Sequence, residues 1–172
     1  ALGSGSSAAL VAAAIHAGQT GNVLAPDLFW DTTSLSVEKQ GIAKIKRLPK
    51  HPGLEIDLKA MLSAIDESIS LVQVVNPNNP TGLLSDPAEL RTFCIEASKK
   101  ATVLVDEAYN EVTDHPDGNS MVSLVREGHD VIVARTFSKI YGLAGMRVGL
   151  FRAAPEKIEA IGRFGIGWYG LN

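Results

Sequence analysis

Short apolar runs alternate with helical stretches along the whole chain, and this alternation most constrains its fold. The clearest runs lie at residues 71–75, 102–105 and 131–134. Because short apolar strands separated by helices form sheets buried on both faces, the pattern predicts an α/β fold with a mainly parallel sheet and helices on both faces. Ligands bind at the carboxyl ends of the strands in such sheets. Polar residues that directly follow the apolar runs are therefore the first candidates for a functional site.

The individual elements follow from apolar periodicity and from breaks at Gly and Pro. The pattern predicts helices near 6–17, 34–40, 57–66, 86–99, 119–127 and 155–163, and strands near 22–26, 43–48, 71–75, 102–106, 131–135 and 147–152. Residues 115–120 are polar and turn-forming, so we expect an exposed loop there.

Composition excludes several classes of protein. The net charge of −3 argues against nucleic acid as a partner, since such proteins carry a basic surface. No apolar run approaches the roughly 18 residues needed to span a bilayer. The one cysteine, Cys94, excludes an internal disulfide and fits a reducing, cytoplasmic compartment; we expect it to be buried on a helix. The four histidines are dispersed without metal-ligand spacing, so no metal site is expected.

Lys139 lies between small hydroxyl residues, just after the strand predicted at 131–135. At that place its amine can be partly desolvated, which makes it a better nucleophile toward a carbonyl. Thr136, Ser138 and Arg147 offer two hydroxyls and a planar fork of donors, which suit a phosphate monoester. A lysine that forms a Schiff base among phosphate ligands is what pyridoxal 5'-phosphate (PLP) requires. The alternative is a solvated lysine in a Gly-rich loop.

Two further strand ends carry polar candidates. Asn79 lies in the motif Asn-Pro-Asn-Asn-Pro-Thr-Gly at residues 76–82, after the run at 71–75, although the same residues also make ordinary turns. Asp106 ends the run at 102–105, and Tyr109 follows three residues later. A carboxylate there can hold a protonated ring nitrogen, and the phenol can reach a ring oxygen. The alternative is a helix-capping Asp with a surface Tyr.

The Gly-rich segment at residues 3–7 runs into a strong helix-forming sequence. Ser6 and Ser7, with the free N–H groups of a helix N-terminus, make a candidate phosphate site. The same segment also fits the glycine spacing of a dinucleotide-binding fingerprint, as do residues 165–170. The first has almost no chain before it for a strand, and the second has no room after it, so we interpret the second as chance.

Together, the segments at 3–7, 74–82, 102–109 and 135–149 resemble the fold-type I PLP enzymes of the class I and II aminotransferases. The motifs Val-Asp-Glu-Ala-Tyr and Thr-Phe-Ser-Lys are most similar to those of the histidinol-phosphate aminotransferase-like branch. The resemblance implies that Lys139 bonds PLP covalently and that Asp106 pairs with the ring nitrogen. It also implies that Asn79 and Tyr109 bond the ring oxygen O3'. The residues that it implies for phosphate binding are Ser6, Ser7, Thr136, Ser138 and Arg147.

The resemblance also implies an aromatic side chain stacked on the PLP ring. Trp30 is the first choice and Phe29 the second, while both could also be core aromatics. It implies a cis peptide bond at Asn79–Pro80.

The family's N-terminal segment and small C-terminal domain have no counterpart in residues 1–172, which we expect to form only the PLP-binding large domain. The family's substrate-carboxylate arginine lies in that C-terminal domain. Because the family is homodimeric, we expect the 172 residues alone to have little activity. We also expect an exposed apolar cluster at the end of the chain, listed here: Phe164, Ile166, Trp168, Tyr169 and Leu171.

The function that the resemblance implies is PLP-dependent amino transfer between an amino acid and a 2-oxo acid. A decarboxylase or lyase of the same fold is the first alternative. A non-catalytic module that retains the fold is the second, and the complete set of Lys139, Asp106, Tyr109 and Arg147 argues against it.

Overall fold

The computed structural model describes residues 1–164. Its strands are β1 (Leu2–Ser4), β2 (Asn22–Pro26), β3 (Ile45–Leu48), β4 (Ile69–Val75), β5 (Thr102–Asp106), β6 (Val131–Thr136) and β7 (Val148–Arg152). Its helices are α1 (Gly5–Gly18), α2 (Thr32–Lys39), α3 (Leu58–Ser63), α4 (Pro87–Ala97), α5 (Pro116–Asn119), α6 (Val122–Arg126) and α7 (Pro155–Gly162). Short 3-10 turns lie at Asn110–Val112 and Ala144–Met146. Among the described residues, no helix is long and apolar enough to cross a membrane.

The strands form one sheet in the order β1-β7-β6-β5-β4-β2-β3. The five strands β2, β3, β4, β5 and β6 pair in parallel, whereas β7 runs antiparallel to both β6 and β1. The predicted fold class, a mainly parallel sheet covered by helices, is therefore confirmed. Every predicted strand is present within two residues of its expected bounds. Strand β1 was not predicted, because three residues with Gly and Ser carry no strand pattern.

Strand side chains alternate between two apolar cores, one on each face of the sheet. Leu71 and Val75 of β4 face the core that α1 fills, while Val72 and Val74 face the opposite core. This period of two is the expected property of a strand buried on both faces. Cys94 of α4 is fully buried in the second core, as predicted, and burial raises the pKa of its thiol to about 12. The thiol is thus a small packing group there.

Helix α1 approaches the sheet unusually closely at its first residue. A Cβ atom on Gly149 of β7 would lie 2.3 Å from the backbone of Gly5 and Ser6, so only glycine fits at Gly149. Gly5 itself has φ +69, a conformation that glycine adopts without strain. The two glycines bring the N-terminus of α1 to the edge where β6 ends.

Two expectations need correction, and two more lie wholly or partly outside the described residues. Residues 115–120 are exposed at His115, Asp117 and Gly118 but are not a plain loop: they contain α5, and Asn119 and Ser120 are buried, with their side chains hydrogen-bonded inside the protein. Phe164 is half-buried against the core of α1, with its ring centroid 6.0 Å from that of His16. The fingerprint at 165–170 and the remaining members of the predicted apolar cluster lie outside the described residues.

Candidate active site

One cavity of about 220 Å³ opens at the carboxyl edge of the parallel strands. Its walls contain all the predicted site residues, which lie far apart in sequence: Ser6, Ser7, Trp30, Asn79, Asp106, Tyr109, Thr136, Ser138, Lys139 and Arg147. Val75 and Ala108 complete it. The structure therefore brings the whole predicted set together, while the role of each residue remains a prediction.

Asp106 lies at the centre of this edge because β5 ends there between its parallel neighbours β4 and β6. Its partners across β4 and β6 are Val75 and Ala134. Asn76 N donates to Asp106 O over 2.9 Å, and Glu107 N donates to Ala134 O over 2.8 Å. These bonds continue the sheet one step past the strands. The backbone of Asp106 is thus fixed on both sides.

The Asp106 side chain is buried and poorly compensated. The residue is 3% exposed, and its carboxylate accepts a hydrogen bond from Ala108 N over 3.1 Å. Burial, with a smaller contribution from the charge of Glu107, raises the pKa of Asp106 to about 6, while the Ala108 hydrogen bond and the Lys139 charge oppose the rise. A buried carboxylate of this kind is stabilised by a cation brought against it. Asp106 is therefore suited to hold a positively charged ring nitrogen.

Lys139 lies on the loop after β6, with its Nζ 5.0 Å from the centroid of the Tyr109 ring. The expectation of a partly desolvated lysine is wrong for this structure, because the Lys139 side chain is exposed. The loop leaves the sheet at Thr136, and residues 139–147 are all exposed. The ammonium group lies near an aromatic face, a weakly favourable contact at an exposed site.

The N-terminus of α1 forms the other end of the cavity. Ser6 and Ser7 belong to its first turn, whose N–H groups have no partner within the helix. Arg147 lies beside Gly5, the first residue of α1. It has φ 53, and its Nη1 donates to Ser138 Oγ over 3.3 Å and to Ala144 O over 3.0 Å. Thr136 Oγ1 accepts from Ser138 N over 3.1 Å. Hydroxyls, a guanidinium and a helix N-terminus together form a site for a phosphate group.

Asn79 and Trp30 form the remaining walls. The Asn79–Pro80 bond is cis, as expected, and the Asn76–Pro77 bond, for which no expectation was made, is cis as well. Asn78 Nδ2 donates to Leu28 O over 3.2 Å, which ties this loop to the segment before Trp30. Trp30 is 44% exposed in the cavity wall, whereas Phe29 is 7% exposed in the core of α1. This placement favours Trp30 over Phe29 as the stacking aromatic.

Sequence reasoning missed two charged residues behind the cavity, Glu107 and Arg135. They form an ion pair with Glu107 Oε2 2.9 Å from Arg135 Nη2, directly after Asp106 and directly before Thr136. A signal was present in the sequence: a second carboxylate at the end of a buried strand needs a cationic partner. Arg135 is the one arginine placed at the end of the neighbouring strand. Among the described residues, no group of three metal-ligating side chains occurs.

The comparisons with known proteins agree with this geometry. The family model described as "Aminotransferase class I and II" matches residues 1–169. An "Aromatic amino acid aminotransferase" of Mycolicibacterium smegmatis is 47% identical over 107 residues, which are 62% of this chain and 30% of that protein. A "Histidinol-phosphate aminotransferase 2" of Hydrogenovibrio crunogenus is 35% identical over 164 residues, covering 95% of this chain and 43% of that protein. The chain thus spans less than half the length of each relative.

A solved structure shares the arrangement of elements. The histidinol-phosphate aminotransferase from Sinorhizobium meliloti, solved in complex with pyridoxal-5'-phosphate, matches with a TM-score of 0.84 at 27% identity. The match covers 99% of this chain and 47% of that one. With a family model matched over nearly its whole length and the family's fold in its structure, this chain belongs to the class I and II aminotransferases.

Proposed function

We propose that the full-length protein is a PLP-dependent aminotransferase, which moves an amino group between an amino acid, or a similar amine, and a 2-oxo acid. The observation that carries this proposal is the meeting of three groups in one cavity: the Lys139 amine, the buried Asp106 carboxylate and the N-terminus of α1. The family and the PLP complex of the Sinorhizobium meliloti relative support it.

PLP fits the residues at both ends of the cavity. At one end, the uncompensated Asp106 carboxylate suits a cationic ring nitrogen, which would lower the raised pKa of Asp106 again. At the other end, five donors suit the phosphate: Ser6, Ser7, Thr136, Ser138 and Arg147. When bound, PLP supplies an aldehyde that condenses with amines and a ring that accepts electrons.

The side chains of this chain then have distinct tasks. Lys139 is the amine that we assign to the PLP aldehyde. With PLP and substrate bound, Lys139 Nζ would be placed to take the proton from the substrate Cα and to donate it again, as general base and general acid. Asp106 keeps the ring nitrogen protonated, because an adjacent negative charge favours the charged form.

The other cavity residues hold the cofactor in place. Asn79 and Tyr109 are assigned to the ring oxygen O3', and Trp30 to the ring face. Arg147 is assigned to the phosphate through a charge-assisted contact. With these assignments, Lys139 is the cavity residue that carries the proton at the substrate Cα.

Three finer properties belong to the same proposal. Residues 1–172 form the PLP-binding large domain, which agrees with the share of the relatives that they span. The protein is a homodimer; the exposed apolar side chains of Ile140, Tyr141 and Leu143, beside the cavity, support an interface there. A cytoplasmic location is part of the proposal as well, and the single free cysteine, Cys94, is compatible with it.

An exchange assay on the full-length protein tests the proposal. The protein is loaded with PLP and given amino acids with a 2-oxo acid, and both the new amino acid and the new 2-oxo acid are quantified. We expect equal amounts of the two products, which Lys139→Ala abolishes. Lys99→Ala is the matched control, because Lys99 is an exposed lysine paired with Glu96 on α4. Release of CO₂ without a 2-oxo acid would indicate a decarboxylase, and no PLP binding would contradict the proposal.

A further inference from the structure

Behind the cavity, Glu107 lies in a buried network of hydrogen bonds. Glu107 is 1% exposed, and its carboxylate accepts from Arg135 Nε over 3.0 Å. It also accepts from Ser120 Oγ over 2.9 Å and from Met121 N over 2.7 Å. A buried charge is tolerated only when it is paired and hydrogen-bonded in this way. Glu107 lies outside the cavity wall, so its charge has no direct contact with a ligand there.

Arg135 connects this network to the segment that carries Tyr109. Its Nη1 donates to Glu111 Oε1 over 3.1 Å and its Nη2 to Ser120 Oγ over 2.7 Å, in addition to the contacts with Glu107. One planar guanidinium therefore bonds three positions of the segment 107–120. The rigid fork of an arginine suits such a task better than the flexible ammonium of a lysine.

The position of the pair in the fold gives it a link to the cavity. Glu107 directly follows Asp106 at the end of β5, and Arg135 directly precedes Thr136 at the end of β6. The two strands are parallel neighbours, so the ion pair closes the gap where their loops diverge. One loop carries Tyr109 and the other carries Lys139.

The pair also sets the charge beside Asp106. The charge of Glu107 raises the pKa of Asp106, whereas Lys139 lowers it. Burial raises the pKa of Glu107 itself, and Arg135 opposes that rise. The charge of Glu107 therefore acts directly on Asp106, whereas Arg135 acts on Asp106 only through Glu107.

We propose that Glu107 and Arg135 are positioning residues of the PLP site: their ion pair holds the Asp106 and Lys139 loops in register and neutralises the carboxylate next to Asp106. This inference rests on the proposed function. Stability alone does not require the pair, since buried ion pairs are often replaced by apolar residues without loss. Its test therefore uses cofactor binding and its pH dependence.

The experiment measures PLP affinity of the full-length apoprotein by fluorescence, on both sides of the pKa of about 6 of Asp106. Affinity should fall as the pH falls through that pKa, because a protonated Asp106 no longer pairs with the ring nitrogen. In Arg135→Met, PLP binding should weaken about tenfold or more, because Glu107 loses its cationic partner and the two loops lose their link. In Glu107→Gln the midpoint should move to lower pH.

Two more variants keep the test informative if Arg135→Met does not fold. Arg135→Lys keeps the charge but loses the fork, so its midpoint should stay near that of the wild type while turnover falls. Arg91→Met is the matched control: Arg91 bonds Ser123 and Glu127 just as Arg135 bonds Ser120 and Glu107, but on the outer surface. Its PLP affinity and midpoint should equal those of the wild type.

The outcomes separate this inference from the proposed function. A wild-type protein that does not bind PLP would refute the proposed function and this inference with it. A wild-type protein that binds PLP, with the PLP affinity of Arg135→Met and the midpoint of Glu107→Gln equal to those of Arg91→Met, would refute the inference alone. Weaker PLP binding in Arg135→Met with an unchanged midpoint in Glu107→Gln would also refute it, since a general loss of structure explains that result.

Discussion

The guanidinium of Arg147 lies directly against the α-carbon of Gly5. A Cβ on Gly5 would come within 2.6 Å of Arg147 Nη2, and Gly5 N donates to Arg147 O over 2.9 Å. This contact joins the first turn of α1 to the segment after Lys139. The absence of a side chain at Gly5 thus determines where the cationic donor of the cavity lies.

Gly5→Ala should displace this guanidinium and weaken PLP binding. Gly41→Ala is the matched control, because Gly41 has nearly the same backbone, φ +70 against φ +69, but open space around its Cβ position. Both variants should lose on the order of 1 kcal/mol of the free energy of unfolding from backbone strain. Only Gly5→Ala should also lose PLP affinity, measured by fluorescence titration. Equal affinities of the two variants would contradict the assigned role of Arg147.

Asp106→Asn should stabilise the apoprotein at neutral pH. The folded chain holds the Asp106 proton up to about pH 6, whereas the unfolded chain releases it near 3.8. Because the folded state binds more protons in that window, the free energy of unfolding falls as the pH rises through it. The amide of the variant has no such proton to release, so this decrease is absent in the variant. Above pH 6 its free energy of unfolding should exceed that of the wild type by on the order of 2 kcal/mol.

Thermal unfolding of both apoproteins across this pH window checks the prediction. A smaller fall should remain in the variant, because the pKa of Glu107 is also raised, mainly by burial. Saturation with PLP should favour the wild type more than the variant. A variant less stable than the wild type at neutral pH would show that Asp106 is well compensated without the cofactor.

Asp106→Asn and Arg147→Ala should affect catalysis and binding differently. The amide cannot hold the ring-nitrogen proton, so Asp106→Asn should lower turnover by roughly a hundredfold, more than it lowers PLP affinity. Arg147→Ala should weaken PLP binding by about tenfold to a hundredfold, because a charge-assisted contact is lost. Turnover at saturating PLP and PLP affinity are measured for each. Equal effects of both changes on affinity alone would count against the assigned roles.

Trp30→Ala and Phe29→Ala should separate stacking from packing. Trp30 lies in the cavity wall, so its removal should lower PLP affinity by about tenfold or less with little effect on unfolding. Phe29 is buried in the core of α1, so its removal should cost about 3–5 kcal/mol of the free energy of unfolding. Chemical unfolding and PLP titration measure the two effects. Loss of affinity in Phe29→Ala without loss of stability would reverse the assignment.

The sequence predicted those parts of the fold that depend on local patterns. The buried strands β4, β5 and β6 are continuous apolar runs, so they were visible, and the polar residues after them were correctly expected at one edge. Strand β1 was not visible, because Leu2–Ser4 is a strand only through its pairing with β7. Pairing between distant segments leaves no local pattern in either of them.

The sequence predicted which residues line the cavity better than it predicted their burial and their contacts. Lys139 lies in the cavity but is exposed, because desolvation depends on what covers a loop and not on its neighbours in sequence. Residues 115–120 have turn-forming letters, yet Ser120 is buried because Glu107 and Arg135 hold it. The ion pair joins residues 28 positions apart, and only the register of β5 and β6 brings them together.

Lys139, as the amine that bonds PLP, is the central residue of the proposed function. Borohydride reduction of the PLP-loaded full-length protein makes that bond permanent, and peptide mass spectrometry then locates it. We predict that the reduced cofactor is found on Lys139. Lys50 is the strongest rival in the described part of the chain, since its Nζ is buried without a hydrogen-bond partner and burial lowers its pKa. Reduced cofactor on Lys50, or on any lysine other than Lys139, would contradict the assignment of Lys139.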